Sequence, residues 1–530
     1  MSVINFVGEL LVKGIKLELR ENELIAKAAK GLLTTNDATY IKQHKNKIIQ
    51  LLKNTQKGKA EVSGPIAQKR EGQDFPLTMQ QQSLWYFHKI HPGSFAYNIP
   101  LTYELKGDLK VDLLVQCIKH LIQRHESLTT RFIEIDGEPR QRVENNGDFI
   151  VPVLTAREEE LSNIVLTESE HVFDLFNDRL LRVKLVHLSQ SHHVLMINMH
   201  HIISDGTSIG IFLHELKELY LHKADNSCLA RVEIQYADYS QWQQEQRPSE
   251  TYFQSKKYWL ESLENAPAIS LFPTDHIRPN ESFNNGNVSK FSIPSNVSES
   301  LRNIAKDQSC TLYIVLLAAF KFLLYRHTNQ EDLVVGIMAE NKRLLELENT
   351  IGFFANPLAL RSVIDTHLNF NEFLMQVKDT VLNGLEHQEV IFSDIVSGLK
   401  FELEPSISPL FQTMFLMDVG AVQSFSLPGI NCKGLAQEWQ ISKFDLSVTM
   451  FDNTDKSLAG VFEYNSDIFE QTTIEKIIDN YIRLLANLVA SPGQQLGQME
   501  ILSPHERQTL LHTWNQTDAP YPMDKTLAQL

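Results

Sequence analysis

The chain has 530 residues, 65 of them acidic against 49 Lys and Arg, a formal net charge of −16 and a hydrophobic share of 43%. That length and apolar content suit several packed domains of roughly 100–200 residues each. The acidic balance argues against nucleic acid as a partner, because such binding neutralises phosphates with Lys and Arg. Cys117, Cys228, Cys310 and Cys432 are far apart; they form neither a zinc-type pair nor a disulfide framework, so a reducing cytoplasm is expected. No charged-then-apolar segment opens the sequence, so no leader is expected. The most apolar run, Tyr313 to Tyr325, is broken by Lys321 and too short to span a bilayer. It reads as a buried helix, and no membrane contact is expected.

Residues 1–53 read as a small unit. Ile4, Val7, Leu10 and Leu11 give a short amphipathic helix, and Ile15, Leu17 and Leu19 alternate with polar residues as a strand does. Glu21-Asn22-Glu23 is a turn, and Leu24-Ile25-Ala26-Lys27 a second strand. Asn36 or Asp37 caps a helix whose apolar stripe is Ile41, Ile48, Leu51 and Leu52. This helix–hairpin–helix order resembles the N-terminal docking domains of the tubulysin-synthetase type. The resemblance implies that a C-terminal tail of an upstream synthetase adds as a strand along the hairpin edge. Leu24, Ile25, Ala26 and Lys27 would form that edge, with Lys27 and Lys30 facing acidic groups of the tail. The alternative is that both lysines are solvated surface. Residues 54–73 are polar and without periodicity, with Gly58, Gly64 and Pro65, and read as a flexible linker.

Further along, Val194-Leu195-Met196-Ile197-Asn198 has the continuous hydrophobicity of a buried strand, and Ile209, Phe212, Leu213, Leu216 and Tyr220 recur at helical spacing. Between them stands Met199-His200-His201-Ile202-Ile203-Ser204-Asp205-Gly206. Two histidines, an acid and a glycine therefore occupy a strand-to-helix turn. Imidazole titrates near neutrality, the acid can pin the loop, and Gly206 permits a tight turn. A metal site would need three or more ligands with support behind them. No nearby Cys or Glu completes one, so acid/base work is favoured and no metal is expected.

The rest of the sequence carries landmarks in order. They are Pro76-Leu77-Thr78-Met79-Gln80-Gln81-Gln82-Ser83-Leu84-Trp85-Tyr86, Tyr97-Asn98-Ile99-Pro100, and Arg124-His125-Glu126-Ser127-Leu128-Thr129-Thr130-Arg131-Phe132. Tyr236-Ala237-Asp238-Tyr239-Ser240-Gln241-Trp242, Tyr258-Trp259 and Phe272-Pro273-Thr274-Asp275 follow. Then come Leu333 to Ile337 as a buried strand, Asn341-Lys342-Arg343, and Ile351-Gly352-Phe353-Phe354-Ala355-Asn356-Pro357-Leu358. His387-Gln388-Glu389-Val390, Pro409 to Gln412 and Lys443-Phe444-Asp445-Leu446 complete the set. Trp85 and Tyr86 read as packing residues, and Arg124 with Glu126 as a source of an ion pair. Ile474, Ile477, Ile478, Tyr481, Leu484, Leu485 and Leu488 form an amphipathic helix, with Thr472 and Glu475 at capping-box spacing and Ser491-Pro492-Gly493 as its stop.

From about Phe75 to Leu502 these motifs resemble, in order and spacing, the condensation domains of non-ribosomal peptide synthetases. Gln80 stands where that family usually has Ala, Thr129 where it has Arg, and Pro357 where it has Thr. The resemblance implies an α/β (α+β) fold of two chloramphenicol-acetyltransferase-like lobes in a V, here 74–247 and 248–502, around a tunnel. Residues 503–530 would connect to a downstream adenylation domain. Donor and acceptor carrier proteins would dock at the two mouths, their phosphopantetheine arms carrying the acyl groups, with no cofactor bound by this chain. The lobes pair within one chain, which implies a monomer.

The implied reaction is attack of an acceptor aminoacyl amine on a donor thioester. His201 takes the catalytic role, as a base or as an orienting group, for proximity alone supplies much of such a rate. His200 goes to loop structure, and Asp205 to an ion pair whose partner by family position is Arg343. Gly206 offers a backbone N–H near the thioester, besides its turn. The motif leans toward joining two L-residues and leaves a D-residue donor open. An epimerisation domain shares the two histidines but is not opened by a docking unit, and a coenzyme A-dependent acyltransferase would lack that unit. A docking and gating scaffold with weak catalysis is the reading of another class, kept open by the three departures.

Overall fold

A computed structural model describes residues 72–144, 149–279, 285–399, 407–418, 425–435, 441–453 and 455–518, together with 16–20, 23–27 and the single positions 41, 45, 66, 526, 528 and 529. At the N-terminus β1 (Lys16–Arg20) and β2 (Glu23–Lys27) form an antiparallel hairpin with Lys16 opposite Lys27 and Arg20 opposite Glu23. The flanking helices expected from sequence lie outside the described residues, apart from the helical positions 41 and 45.

The first lobe runs β3 (Asp74–Pro76), α1 (Met79–Ile90), β4 (Asn98–Gly107), α2 (Val111–Arg124), β5 (Thr130–Ile135), β6 (Glu138–Val143), β7 (Val153–Thr155), α3 (Glu158–Ser169), β8 (Leu181–Ser189), β9 (His192–His200), α4 (Gly206–Leu221) and α5 (Tyr236–Gln246). The second continues with α6 (Glu250–Ser262), β10 (Gly286–Ile293), α7 (Ser295–Asp307), α8 (Leu312–Thr328), β11 (Asp332–Ala339), β12 (Asn356–Val363), α9 (Phe370–Glu386), α10 (Phe392–Leu399), β13 (Thr413–Asp418), β14 (Ile430–Gly434), β15 (Leu446–Asp452), β16 (Leu458–Asn465), α11 (Gln471–Ala490) and α12 (Pro504–Gln508).

Each lobe is a mixed sheet covered by helices. The second sheet has the order β10-β16-β15-β13-β11-β12. Its core is built on α8, whose residues Ile314 to Leu324 are all buried. The apolar run read from sequence is therefore a core helix, and among the described residues no single helix is long and apolar enough to cross a membrane. Lys321, within that run, is wholly buried, with Nζ donating to Leu360 O and Ser362 Oγ, both at 2.8 Å. The first sheet has the order β14-β4-β9-β8-β7. Leu114, Cys117 and Leu121 of α2 and Phe212, Leu216 and Leu219 of α4 pack in one core with Leu185, Leu195 and Ile197 of the sheet. Each large side chain so buried contributes about 1.5–3 kcal/mol.

Strand β14 falls in the span expected of the second lobe, yet it pairs antiparallel with β4 of the first sheet, Ile430 opposite Gly107 and Gly434 opposite Tyr103. Phe425, Leu427 and Ile430 join the first lobe's core. A second correction concerns the polar 54–73 segment: Ile66 is buried in a cluster with Ile234, Tyr236, Tyr239, Leu347 and Phe354. Arg124 pairs with Glu215 of α4, and His125 Nε2 lies 2.7 Å from the same carboxylate. Two smaller expectations also change. Tyr86 is 55% exposed while Trp85 is buried. Helix α11 starts at Gln471 and Thr472 lies inside it. Its entry is held by Asp275, which accepts from Glu470 N–H and Thr473 Oγ–H, both at 2.8 Å.

Candidate active site

The histidine loop sits where the lobes meet. Strand β9 ends at His200, opposite Asn98 of β4, and the next amide, His201 N–H, donates to Tyr97 O at 2.8 Å. A single 3-10 turn, His201–Ile203, leads to α4. His200 is buried, its Nδ1 accepting from Ile202 N–H at 3.1 Å and its ring edge-on to Phe173. Burial, with His88 and Lys443 nearby, pushes its pKa down to about 3. It is a neutral cap for the turn.

His201 is half-buried. Its Nδ1 lies 3.1 Å from Ser204 O. A carbonyl oxygen only accepts, so Nδ1 carries the hydrogen and Nε2 keeps its lone pair. The ring is braced edge-on by Tyr97 and Phe353, with centroids 6.4 and 5.5 Å away. Burial, then the charge of Lys443 and the neighbouring His200, hold its pKa well below the ordinary value. The loop thus presents a neutral imidazole in a fixed tautomer: a hydrogen-bond acceptor at neutral pH, and a weak holder of a proton.

Asp205 is buried and caps α4. Its Oδ1 accepts from Ser208 N–H at 2.8 Å, and its Oδ2 from the backbone N–H groups of Phe354 and Ala355 at 2.9 and 3.1 Å. The expected partner Arg343 is elsewhere: its guanidinium donates to Glu389 at 3.2 Å and to Glu386 O at 2.8 Å. Two backbone donors on the second lobe do the work assigned to that arginine. The residue before Arg343, Lys342, lies near enough to feel the charge of Asp205, and it stands over the Phe354 ring at 4.8 Å and donates to Thr350 O.

Gly206 opens α4 without a left-handed φ, and a Cβ there would meet open space. The turn does not demand glycine, contrary to the reading from sequence; what glycine leaves is room in front of the loop. The first N–H groups of a helix have no acceptor within it; Asp205 takes that of Ser208, and those of Gly206 and Thr207 precede it.

Several supporting residues escaped the sequence reading. Gln81, inside a capping box with Thr78, donates from Nε2 to Ile202 O at 3.1 Å and holds the 3-10 turn. Ser208 Oγ donates to Gly352 O at 2.8 Å and accepts from Gly352 N–H at 3.1 Å. Tyr236 donates to Phe353 O and accepts from Thr78 Oγ1. A Cβ on Gly352 would lie 1.9 Å from the Tyr236 ring, so glycine is required there. Gln80, the departure from alanine, is buried and bonded to Gln243 and Phe354 O. The bond to Phe354 O crosses between the lobes. Pro357 sits on β12, at the sheet edge, where a missing N–H is tolerated. Among the described residues no group of three His, Cys, Asp or Glu is placed to hold a metal ion.

Away from this loop, Leu24, Ile25, Ala26 and Lys27 lie on β2, paired on one side with β1. Lys30 lies outside the described residues.

Comparison with known proteins bears on both regions. Residues 71–511 match the family described as Condensation domain, and residues 3–54 the TubC N-terminal docking domain. Tyrocidine synthase 2 of Brevibacillus parabrevis is 34% identical over 86% of the chain. Surfactin synthase subunit 1 of Bacillus subtilis is 33% identical over 91% of it. The chain spans only 12% and 13% of those two relatives. Among solved structures, the X-domain from teicoplanin biosynthesis superposes with a TM-score of 0.75, covering 83% of this chain and all of that one at 23% identity. The condensation domain of a Monacolin K polyketide synthase superposes with a TM-score of 0.72, covering 80% of this chain and 99% of that one at 22% identity. Both show the two-lobed fold.

Proposed function

The chain belongs to the condensation-domain family, whose reaction is amide-bond formation, and from that premise we propose that the loop from His200 to Gly206 is where this chain joins a donor acyl thioester to an acceptor amine. The observation that carries the reading is the fixed tautomer of His201, with Nδ1–H held by Ser204 O and the Nε2 lone pair left over. The attacking α-amine donates a hydrogen bond to Nε2, which aims its lone pair at the thioester carbonyl carbon. The C–N bond forms, the C–S bond breaks, and the proton lost by nitrogen ends on the departing thiol. With its low affinity for protons His201 orients the amine and shares its proton only while the bond forms. Backbone N–H groups at the start of α4, Gly206 first, stabilise charge on the carbonyl oxygen.

Asp205 acts at one remove. It fixes the start of α4 and ties it to Phe354 and Ala355, so the imidazole and the helix end stay in register across the lobes.

Both acyl groups arrive on phosphopantetheine arms of donor and acceptor carrier proteins, and this chain binds no cofactor of its own. The N-terminal unit receives the C-terminal tail of an upstream synthetase along β2, which fits strand addition at a hairpin edge. A downstream adenylation domain follows, and the assembly works in the cytoplasm. Mixing the purified chain with carrier proteins loaded with L-aminoacyl thioesters, and reading products by mass spectrometry, tests the reaction. An amide-linked product on the acceptor carrier supports it. Inversion of the donor's α-carbon with no amide would place the chain with epimerising relatives instead.

A further inference from the structure

Lys443 lies just before β15, in the second lobe, and its surroundings are unusual for a cation. Its Nζ stands 5.3 Å from the centre of the Tyr97 ring, and Tyr97 meets His201 edge-on at 6.4 Å. One aromatic ring therefore meets both an ammonium and the imidazole assigned to the nucleophile. Among the described residues, these groups face Lys443. From the first lobe come Tyr97, His200 and His201, with His88 of α1 behind His200; from β16 comes Glu463. Burial makes Glu463 keep its proton more readily than an ordinary carboxyl, against the pull of Lys443. Burial likewise lowers the Lys443 pKa to about 8.

A cation beside a histidine weakens it as a base. That is a defect if the histidine must hold a proton through the reaction, and an advantage if it must stay neutral. The nucleophile has the same need. An α-amino group titrates near pH ~7.7–8.0, so at neutral pH most of it is ammonium, which has no lone pair. A like charge nearby disfavours that form. We propose that Lys443, held against the face of Tyr97, is a positioning residue that keeps both His201 and the incoming acceptor amine unprotonated. The proton leaves the ammonium for solvent before attack, and the free amine then meets the His201 lone pair. The inference rests on the reading of this loop as the amide-forming site. The cation–π contact holds the charge against Tyr97, and burial makes the one facing carboxyl named above, Glu463, a weaker acid.

The test compares the 530-residue chain with Lys443→Met and Lys443→Arg in single-turnover condensation, using carrier proteins loaded with L-aminoacyl pantetheine thioesters, from pH 5.5 to 9. Removing the positive charge raises the pKa of His201 and of the bound amine. The acid limb of the Lys443→Met profile should therefore move up by on the order of one pH unit, with the rate restored at pH 9. Lys443→Arg should follow the wild type. The His201 resonance in ¹³C-histidine-labelled protein, assigned with His201→Gln, should titrate at higher pH in Lys443→Met. Superimposable rate profiles, or an unmoved His201 titration, would overturn the role of Lys443. Absence of product from the wild type at every pH would instead overturn the reading of the site beneath it.

Discussion

Asp205 Oδ2 accepts the backbone N–H of Phe354 at 2.9 Å, and this bond joins the first turn of α4 to the strand entry of the opposite lobe. Its other oxygen caps the helix at Ser208 N–H. Asp205→Ala removes the cap, costing about 0.5–2 kcal/mol, and strands buried amides at a further 1–3 kcal/mol or so. Urea unfolding should show a combined loss of roughly 2–4 kcal/mol. Arg343→Ala breaks a partly exposed pair with Glu389 and an exposed bond to Glu386 O, and should stay within about 1 kcal/mol of wild type. The reverse ranking would restore the arginine as the loop's anchor.

His200 gives the fold an acid-labile point. Its folded pKa of about 3 lies below the unfolded value of 6.5. Between those values the unfolded chain binds the extra proton, so stability rises with pH and is lost as pH falls below about 6.5. At pH 5.5 the loss from this group is about 1.4 kcal/mol. His200→Asn keeps an acceptor for Ile202 N–H and removes the titration. Its urea midpoint should fall less between pH 7.5 and 5.5 than that of the wild type; an equal fall would place the acid sensitivity elsewhere.

Gly352→Ala tests the junction from the other side. The added Cβ would overlap the Tyr236 ring at 1.9 Å, and overpacking of this kind costs typically about 1–3 kcal/mol. Condensation should fall with it, because Gly352 is also bonded to Ser208. Crystallography of a fully active Gly352→Ala protein with Tyr236 unmoved would show that the close approach is not needed.

The β9–turn–α4 unit was legible in the sequence because it is local. A continuous apolar run, two histidines and a helical stripe follow one another within a single strand-to-helix connection. What joins that unit to the rest was not. Arg343 and Lys342 are neighbours in sequence, and only tertiary packing decides that Arg343 turns to Glu389 while Lys342 lies near Asp205. The partners Asp205 chose, Phe354 and Ala355, use backbone amides, which any residue carries and no motif announces. The pairing of β14 with β4 spans more than 300 residues of chain, so no periodicity could reveal it. The entry of α11 is held by Asp275, far upstream, and not by the Thr472–Glu475 spacing.

Deleting residues 1–53 should leave the thermal unfolding of the rest unchanged and weaken productive coupling to an upstream synthetase. The hairpin β1–β2 pairs within itself, and a tail adding along β2 would be lost with it. A titration of condensation rate against a donor carrier bearing its natural C-terminal tail reads this, with the half-saturating concentration rising at least tenfold on deletion. Collapse of the fold on deletion would move the domain boundary.

The most direct test of the account is condensation in trans by the wild type and by His201→Ala, with the folding of both checked by their unfolding midpoints. Loss of the His201 side chain should leave the fold intact and reduce amide formation by about 10²–10⁴-fold, the range expected for a positioned acceptor of the nucleophile's proton. Equal product from a folded His201→Ala protein would take the imidazole out of the mechanism and leave holding the two thioesters together as the whole of the catalysis.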